Sequence, residues 1–190
     1  MIRRSDFYLI PNIMSVSRII AIPIVSTLAY FEWNLWAAFV FAIAGLSDYV
    51  DGWVARRYGY ESKLGMLLDP LADKIIVLSV MVMLLFLGRL EIQIEGWDMR
   101  WLAPLLVIVT VGREIAVTGL RSMASSEGIM MPADQGGKIK TWIQFFAMIF
   151  VLIYQEPWLG IGRILLIVSV IAALWSGIRY LIWFVRKLPE

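Results

Sequence analysis

Six strongly apolar stretches, separated by polar connections that include a polar segment at residues 121–140, constrain the fold of this chain more than any other feature. They cover residues 19–31, 33–47, 75–88, 101–120, 141–155 and 164–185. With 61% hydrophobic residues, nine Trp and a mean hydropathy of +0.78, the chain is far more apolar than a soluble protein, of which about half is apolar. The pattern predicts an all-α fold, a polytopic membrane helix bundle with six transmembrane helices in a single domain over residues 1–190.

The length of these stretches leaves one alternative fold open. None of the uncharged runs reaches the ~18–20 residues of a free-standing membrane span. They reach that length only by including charged residues such as Arg113, Glu114 and Arg179, which must face the bundle interior or extend to the interface. A large water-soluble helical bundle is the alternative, and six apolar runs flanked by Trp argue against it.

The residue types that are missing restrict the chemistry. The sequence contains no Cys and no His, so any reaction must use carboxylates, Lys, Arg, hydroxyl groups or a bound metal. The net charge is +2 and the basic residues form no continuous run, so we expect no nucleic-acid partner. Arg3 and Arg4 are not followed by a short apolar core and cleavage site, so we expect no signal peptide.

Four aspartates lie among these apolar residues. Asp48 and Asp51 are three residues apart and Asp69 and Asp73 are four apart, so on helices each pair shares one face. Four converging carboxylates repel one another unless cations neutralise them. Oxygen donors without His or Cys suit Mg²⁺, Mn²⁺ or Ca²⁺, which predicts a metal site.

The surroundings of the acids support a site with space for a ligand. Gly52, Ala55 and Gly65 lie near the acidic faces and leave room for a ligand to approach the backbone. The alternative is that the acids cap helices or pair with basic neighbours at a membrane edge. Ionisable groups at membrane depth are usually functional, which favours the metal site. The basic neighbours in question are Arg56, Arg57, Lys63 and Lys74.

The basic residues predict the orientation. If both termini are cytoplasmic, only Arg89, Arg100 and Arg163 of the 17 Lys and Arg residues lie outside. The four aspartates then lie at the cytoplasmic ends of the second and third spans, where nucleotides are available. We therefore expect a multi-pass protein of the cell (inner) membrane, with its active site facing the cytoplasm.

A second group of charged residues lies later in the chain. Arg113 and Arg121 fall on one helical stripe, and Lys138 and Lys140 stand where the fifth span begins, a position that favours anions. Four cations beside a metal site suggest a pocket for a phosphorylated substrate. The alternative is that Arg113 pairs with Glu114 or with an aspartate, while the lysines only mark the cytoplasmic side.

The pattern Asp-x2-Asp-Gly-x2-Ala-Arg-x8-Gly-x3-Asp-x3-Asp, from Asp48 to Asp73, resembles the signature of the CDP-alcohol phosphotransferase family. Every fixed position is filled. Within that family, further segments are similar to members whose acceptor is glycerol 3-phosphate. These segments are Pro11-Asn12, Arg18, Gly112-Arg113-Glu114, Leu120-Arg121, and Gly137-Lys138-Ile139-Lys140-Thr141 followed by Gln144.

The resemblance implies transfer of phosphatidyl from CDP-diacylglycerol to sn-glycerol 3-phosphate, giving phosphatidylglycerophosphate and CMP. It implies a homodimer in the lipid bilayer, and two Mg²⁺ or Mn²⁺ ions per active site. The implied metal ligands are Asp48, Asp51, Asp69 and Asp73, with Asp73 also the catalytic base. The implied CDP-diacylglycerol-binding residues are Asn12, Arg18, Gly52, Ala55, Arg56 and Gly65. The implied glycerol-phosphate-binding residues are Arg113, Arg121, Lys138 and Lys140.

The residues alone leave two other functions open. One is a sister transferase that uses serine, inositol phosphate or another acceptor. The other is a cation transporter that uses the acids as an ion path. A transporter should carry polar residues through the bilayer centre, whereas these aspartates lie at one edge.

Overall fold

Six α-helices form the part of the chain that the computed structural model describes, which is residues 10–58, 63–92, 98–126 and 135–187. Each predicted apolar stretch corresponds to one helix, so the all-α prediction is confirmed. The helices are α1 Ile10–Tyr30, α2 Asn34–Tyr58, α3 Lys63–Phe86, α4 Leu102–Ser126, α5 Gln135–Ile153 and α6 Trp158–Val185.

The helices close into a ring. α1 contacts α2 and α3, α4 contacts α3 and α6, and α5 contacts α2 and α6, which gives the order α1, α3, α4, α6, α5, α2 around the ring. Successive helices run in opposite directions. The beginnings of α1, α3 and α5 therefore lie with the ends of α2, α4 and α6, and we call this side the motif end because the four aspartates belong to it. The other side is called the opposite end.

Close packing of apolar side chains fills the ring. Phe41, Met81, Leu84 and Met148 are at most 1% exposed, and they come from α2, α3 and α5. The backbones of α5 and α6 approach closely at Gly162. A Cβ at this position would lie 2.9 Å from the backbone nitrogen of Val151, so only glycine fits there without a shift.

The outer surface of the ring is apolar. Phe86, Ile115 and Trp175 are 74%, 67% and 68% exposed. A surface of this kind fits contact with lipid, not water. Within the described residues, three helical segments are long and apolar enough to cross a membrane: Ile13–Tyr30, Leu102–Ser126 and Trp158–Val185. These observations support a membrane protein, whereas six crossings and cytoplasmic termini stay predictions.

The polar segment predicted at residues 121–140 is shorter in the structure. α4 continues to Ser126 and α5 begins at Gln135, so Arg121 and Lys140 lie on helices. Residues 121–126 contain Arg, Met and Ala, which favour helix, and contain no Pro or Gly that would end one. Both cations are consequently held at defined positions.

Candidate active site

The four aspartates lie on helices, as the sequence predicts. Asp48 and Asp51 belong to α2, and Asp69 and Asp73 belong to α3. The side chains of Asp48, Asp51 and Asp69 lie outside the described part of the structure. The same holds for six other predicted site residues: Asn12, Gly52, Ala55, Arg56, Gly65 and Lys138.

Asp73 is the one motif aspartate with a described side chain, and it is paired with Arg18. The guanidinium of Arg18 donates to Asp73 Oδ1 and joins α1 to α3. The Arg18 side chain is 1% exposed, whereas that of Asp73 is 43% exposed. A buried charge requires a partner, and the Asp73 carboxylate is a partner of the buried Arg18. The ion pair holds the carboxylate in one orientation, and the carboxylate stays accessible.

A second carboxylate, Glu114 of α4, is surrounded by cations. Its Oε1 accepts hydrogen bonds from Arg113 Nη1 at 2.8 Å and from Lys140 Nζ, and Lys74 Nζ lies 3.8 Å from Oε2. The pairing of Arg113 with Glu114 is the one that the alternative interpretation predicts. Glu114 is absent from the predicted site residues, although an acid inside an apolar stretch was a signal for it.

Arg113 and Arg121 both reach α6. Arg113 Nε donates to the Ala173 carbonyl oxygen at 3.0 Å, and Nη2 donates to Ser176 Oγ at 3.1 Å. Arg121 Nη2 donates to Tyr180 Oη at 2.9 Å, and its guanidinium lies 5.2 Å from the centre of that ring. The two arginines therefore share one face of α4, as their spacing predicts.

Lys74 follows Asp73 directly on α3 and points to a different neighbour. Its Nζ donates to Thr118 Oγ1 of α4, and the Thr118 hydroxyl donates to the Glu114 carbonyl oxygen at 2.7 Å. Consecutive helix residues point about 100° apart, which explains why Asp73 faces α1 while Lys74 faces α4. Sequence analysis assigned Lys74 no binding role.

These contacts form a layer of charged side chains across the ring, on the side of the motif end and close to the midpoints of α3 and α4. Its described side chains are four cations and two carboxylates, so among the residues that the structure describes the layer has an excess of positive charge. Such an excess, in a partly buried setting, favours a phosphate or pyrophosphate ligand. Its members are Arg18, Asp73, Lys74, Arg113, Glu114 and Lys140.

A divalent metal fits the residue types at this end. No group of three or more His, Cys, Asp or Glu side chains could hold a metal within the described residues, and three of the four motif aspartates lie outside them. The motif supplies only carboxylate oxygens, which Mg²⁺ and Mn²⁺ prefer. α2 and α3 bring both aspartate pairs to the same end of the ring.

Comparison with known proteins identifies the family. The model of the CDP-alcohol phosphatidyltransferase family matches residues 8–175. The chain belongs to this family. The match covers five helices and most of α6, so the resemblance that the aspartate pattern carried is confirmed.

Individual members of the family are also similar to this transferase. It is 36% identical over 164 residues to the CDP-diacylglycerol–glycerol-3-phosphate 3-phosphatidyltransferase of Bacillus subtilis, covering 78% of each chain. It is 34% identical over 185 residues to the protein of the same name from Pseudomonas fluorescens, covering 90% of this chain and 88% of the relative. It is 31% identical over 191 residues to the cardiolipin synthase (CMP-forming) of Oryza sativa, covering 92% of this chain and 57% of the relative.

Proposed function

We propose that this membrane transferase moves the phosphatidyl group of CDP-diacylglycerol to sn-glycerol 3-phosphate, releasing CMP. The observation that carries the proposal is the similarity to the Bacillus subtilis and Pseudomonas fluorescens relatives, whose names state this reaction. The positive excess of the charged layer supports it. Both substrates carry phosphate groups that such a layer would attract.

Asp73 is the proposed general base. It accepts the proton of the acceptor hydroxyl while that oxygen bonds to the phosphatidyl phosphorus and the bond to CMP breaks. Arg18 contributes by keeping the carboxylate oriented and accessible. Transfers of this type depend on positioning and charge stabilisation, so they need no Cys or His nucleophile.

The remaining motif aspartates are proposed to hold two Mg²⁺ or Mn²⁺ ions. Asp48, Asp51 and Asp69 would hold them together with Asp73. When bound, the ions would neutralise the pyrophosphate and the leaving CMP. The other CDP-diacylglycerol contacts are proposed for Asn12, Arg18, Gly52, Ala55, Arg56 and Gly65.

The acceptor phosphate is proposed to bind the later cations, Arg113, Arg121, Lys138 and Lys140. Of the three with described side chains, Arg121 is exposed, whereas Arg113 and Lys140 are 9% and 5% exposed. The two buried cations therefore act chiefly through their charge. We further propose a homodimer in the cell (inner) membrane, with the motif end facing the cytoplasm.

A sister reaction with another acceptor is the second candidate. The similarity to the cardiolipin synthase of Oryza sativa supports it, because that relative covers nearly the whole of this chain. The two candidates share the donor and the release of CMP, so the acceptor must distinguish them.

To test the proposal, CMP release is measured from purified protein in mixed micelles that contain CDP-diacylglycerol and one acceptor at a time. We expect CMP release with sn-glycerol 3-phosphate and none with serine or inositol phosphate, with products identified by mass. Release should stop in excess chelator and return with Mg²⁺ or Mn²⁺. Turnover with another acceptor alone would favour the sister reaction, and full turnover in excess chelator would contradict the metal assignment.

A further inference from the structure

Exposure separates the cations of the charged layer into two groups. The side chains of Arg18, Arg113 and Lys140 are 1%, 9% and 5% exposed, and each is bonded to a carboxylate. Lys74 is 36% exposed, and Glu114 Oε2, the nearest carboxylate oxygen among the described side chains, lies 3.8 Å from its Nζ, beyond hydrogen-bond distance. An anion that arrives from water reaches Lys74 before it reaches the buried three.

Thr118 holds Lys74 without neutralising it. The Thr118 hydroxyl donates its proton to the Glu114 carbonyl oxygen, so its oxygen is left to accept from Lys74 Nζ. An ammonium group has three donors, and this contact uses one of them. Two donors therefore stay available for a ligand.

Glu114 has limited capacity to neutralise Lys74. Its Oε1 already accepts from Arg113 and Lys140, and only Oε2 approaches Lys74. Among the described side chains, one carboxylate thus faces three cations, and Lys74 makes no hydrogen bond to it. An anionic ligand at this position would complete the balance.

Lys74 also lies beside the proposed base. It follows Asp73 on α3, with both side chains at the motif end and partly exposed. Because the two side chains point about 100° apart, a ligand with its phosphate on Lys74 must extend away from α4 to bring a hydroxyl to the Asp73 carboxylate. In glycerol 3-phosphate, three carbons separate the phosphate from the hydroxyl that attacks, which gives the ligand length for such a reach.

We propose that Lys74 binds the phosphate of the acceptor directly and that Thr118 is its positioning residue. This inference deepens the proposed function and rests on it. Lys74 and the exposed Arg121 contact the phosphate, while Arg113 and Lys140 supply charge from behind Glu114.

The experiment measures initial rates of CMP release against each substrate in turn, in mixed micelles. Lys74→Met removes the charge and keeps the length of the side chain. It should raise the KM for sn-glycerol 3-phosphate about ten- to hundredfold, as expected for the loss of a charge-assisted hydrogen bond, with little change in the KM for CDP-diacylglycerol. Lys74→Arg should restore part of the loss. Lys187→Met is the matched control, since Lys187 is exposed at the end of α6 and outside the layer.

Thr118 is tested through the same two constants. Thr118→Val keeps the shape but removes the hydroxyl, so it should raise the KM for the acceptor less than Lys74→Met does. Thr118→Ser should behave as the wild type, which a loss of packing alone would not predict. An unchanged acceptor KM in both Lys74→Met and Thr118→Val would overturn the inference, and so would a rise confined to the lipid KM.

A second readout does not depend on turnover. The melting temperature of the detergent-solubilised protein should rise with added sn-glycerol 3-phosphate in the wild type and in Lys187→Met, and not in Lys74→Met. If the wild type releases no CMP with this acceptor, the proposed function fails. Loss of the thermal shift in Lys74→Met would still support anion binding at Lys74, and an equal shift in both proteins would contradict it.

Discussion

Arg18 and Arg89 are both buried, at 1% and 3% exposure, but they lie at the two ends of the ring and have different partners. Arg18 binds a carboxylate that is itself partly exposed. Arg89 donates to Asn34 Oδ1 and to the Ala29 carbonyl oxygen, both at 2.7 Å, and lies 4.4 Å from the centre of the Tyr154 ring. The described partners of Arg89 at these distances are therefore neutral.

The position of Arg89 follows from how α3 ends. Gly88 has a φ of 68°, and the Gly88 and Arg89 N–H groups donate to the carbonyl oxygens of Leu85 and Leu84, both at 3.0 Å. This is a Schellman ending, in which glycine adopts the left-handed conformation without strain. It turns Arg89 inward, where burial lowers the pKa of its guanidinium from the ordinary value.

The difference between the ends shows what each arrangement does. At the opposite end, one buried cation donates to neutral groups of α1 and α2 and lies over the ring of Tyr154, which follows α5, so it joins helix ends. At the motif end, Asp73 and Lys74 are 43% and 36% exposed, and the described members of the charged layer include more cations than carboxylates. The opposite end therefore stabilises the ring, and the motif end is available for chemistry.

The largest effect should come from Asp73→Asn. Loss of a general base typically lowers the rate by about 10²–10⁴-fold, so CMP release per folded molecule should fall by that factor. The melting temperature should fall as well, because the buried Arg18 loses a charged partner. Although both residues are proposed ligands, Asp73→Asn should also keep more Mn²⁺ bound than Asp69→Asn. Asp98→Asn is the matched control, because Asp98 is exposed at the opposite end and paired with Arg100.

A near-normal rate in Asp73→Asn would remove it from the role of base. A fall of the same size in the CMP-release rate of Asp98→Asn would contradict the assignment of chemistry to the motif end and of stability to the opposite end.

A smaller effect, on stability and not on rate, is expected for Arg89→Met. The change removes two hydrogen bonds from a charged donor and leaves one buried and one partly buried acceptor without it, which should lower the free energy of unfolding by about 2–4 kcal/mol. Activity per folded molecule should be unchanged. The measurements are the thermal melt in detergent and the CMP-release rate of the folded fraction.

The same substitution at Arg100 provides the control for Arg89. Arg100 is 75% exposed and pairs with Asp98, so Arg100→Met should melt as the wild type does. If Arg89→Met melted normally but lost activity, the opposite end would have a functional role and the comparison would fail.

The smallest perturbation tests whether the two ends lie on opposite sides of a membrane. The sequence has no Cys, so single cysteines can be placed at Ser125, at the motif end, and at Asp98, at the opposite end. Both positions are exposed, and neither change should alter activity. In intact cells an impermeant thiol reagent should label Asp98→Cys and not Ser125→Cys. The reverse pattern would place the motif end outside.

Much of this architecture could be predicted from the sequence. Apolar stretches predict the six helices, and the spacing of Arg113 and Arg121 predicts their common face. The aspartate pattern indicates the family. The charge distribution separates Arg89, Arg100 and Arg163 from the other basic residues, and in the structure these three lie at the opposite end.

The sequence alone does not show which residues the charged side chains bind. Arg18 and Asp73 are 55 residues apart, Glu114 and Lys140 are 26 apart, and Arg89 and Ala29 are 60 apart. Helical spacing determines which residues of one helix share a face, because that relation is local. Which helix a face meets depends on the order of the ring and on the rotation of each helix within it. Only the tertiary structure decided that Asp73 meets Arg18, that one glutamate gathers three cations, and that Lys74 stays accessible beside it.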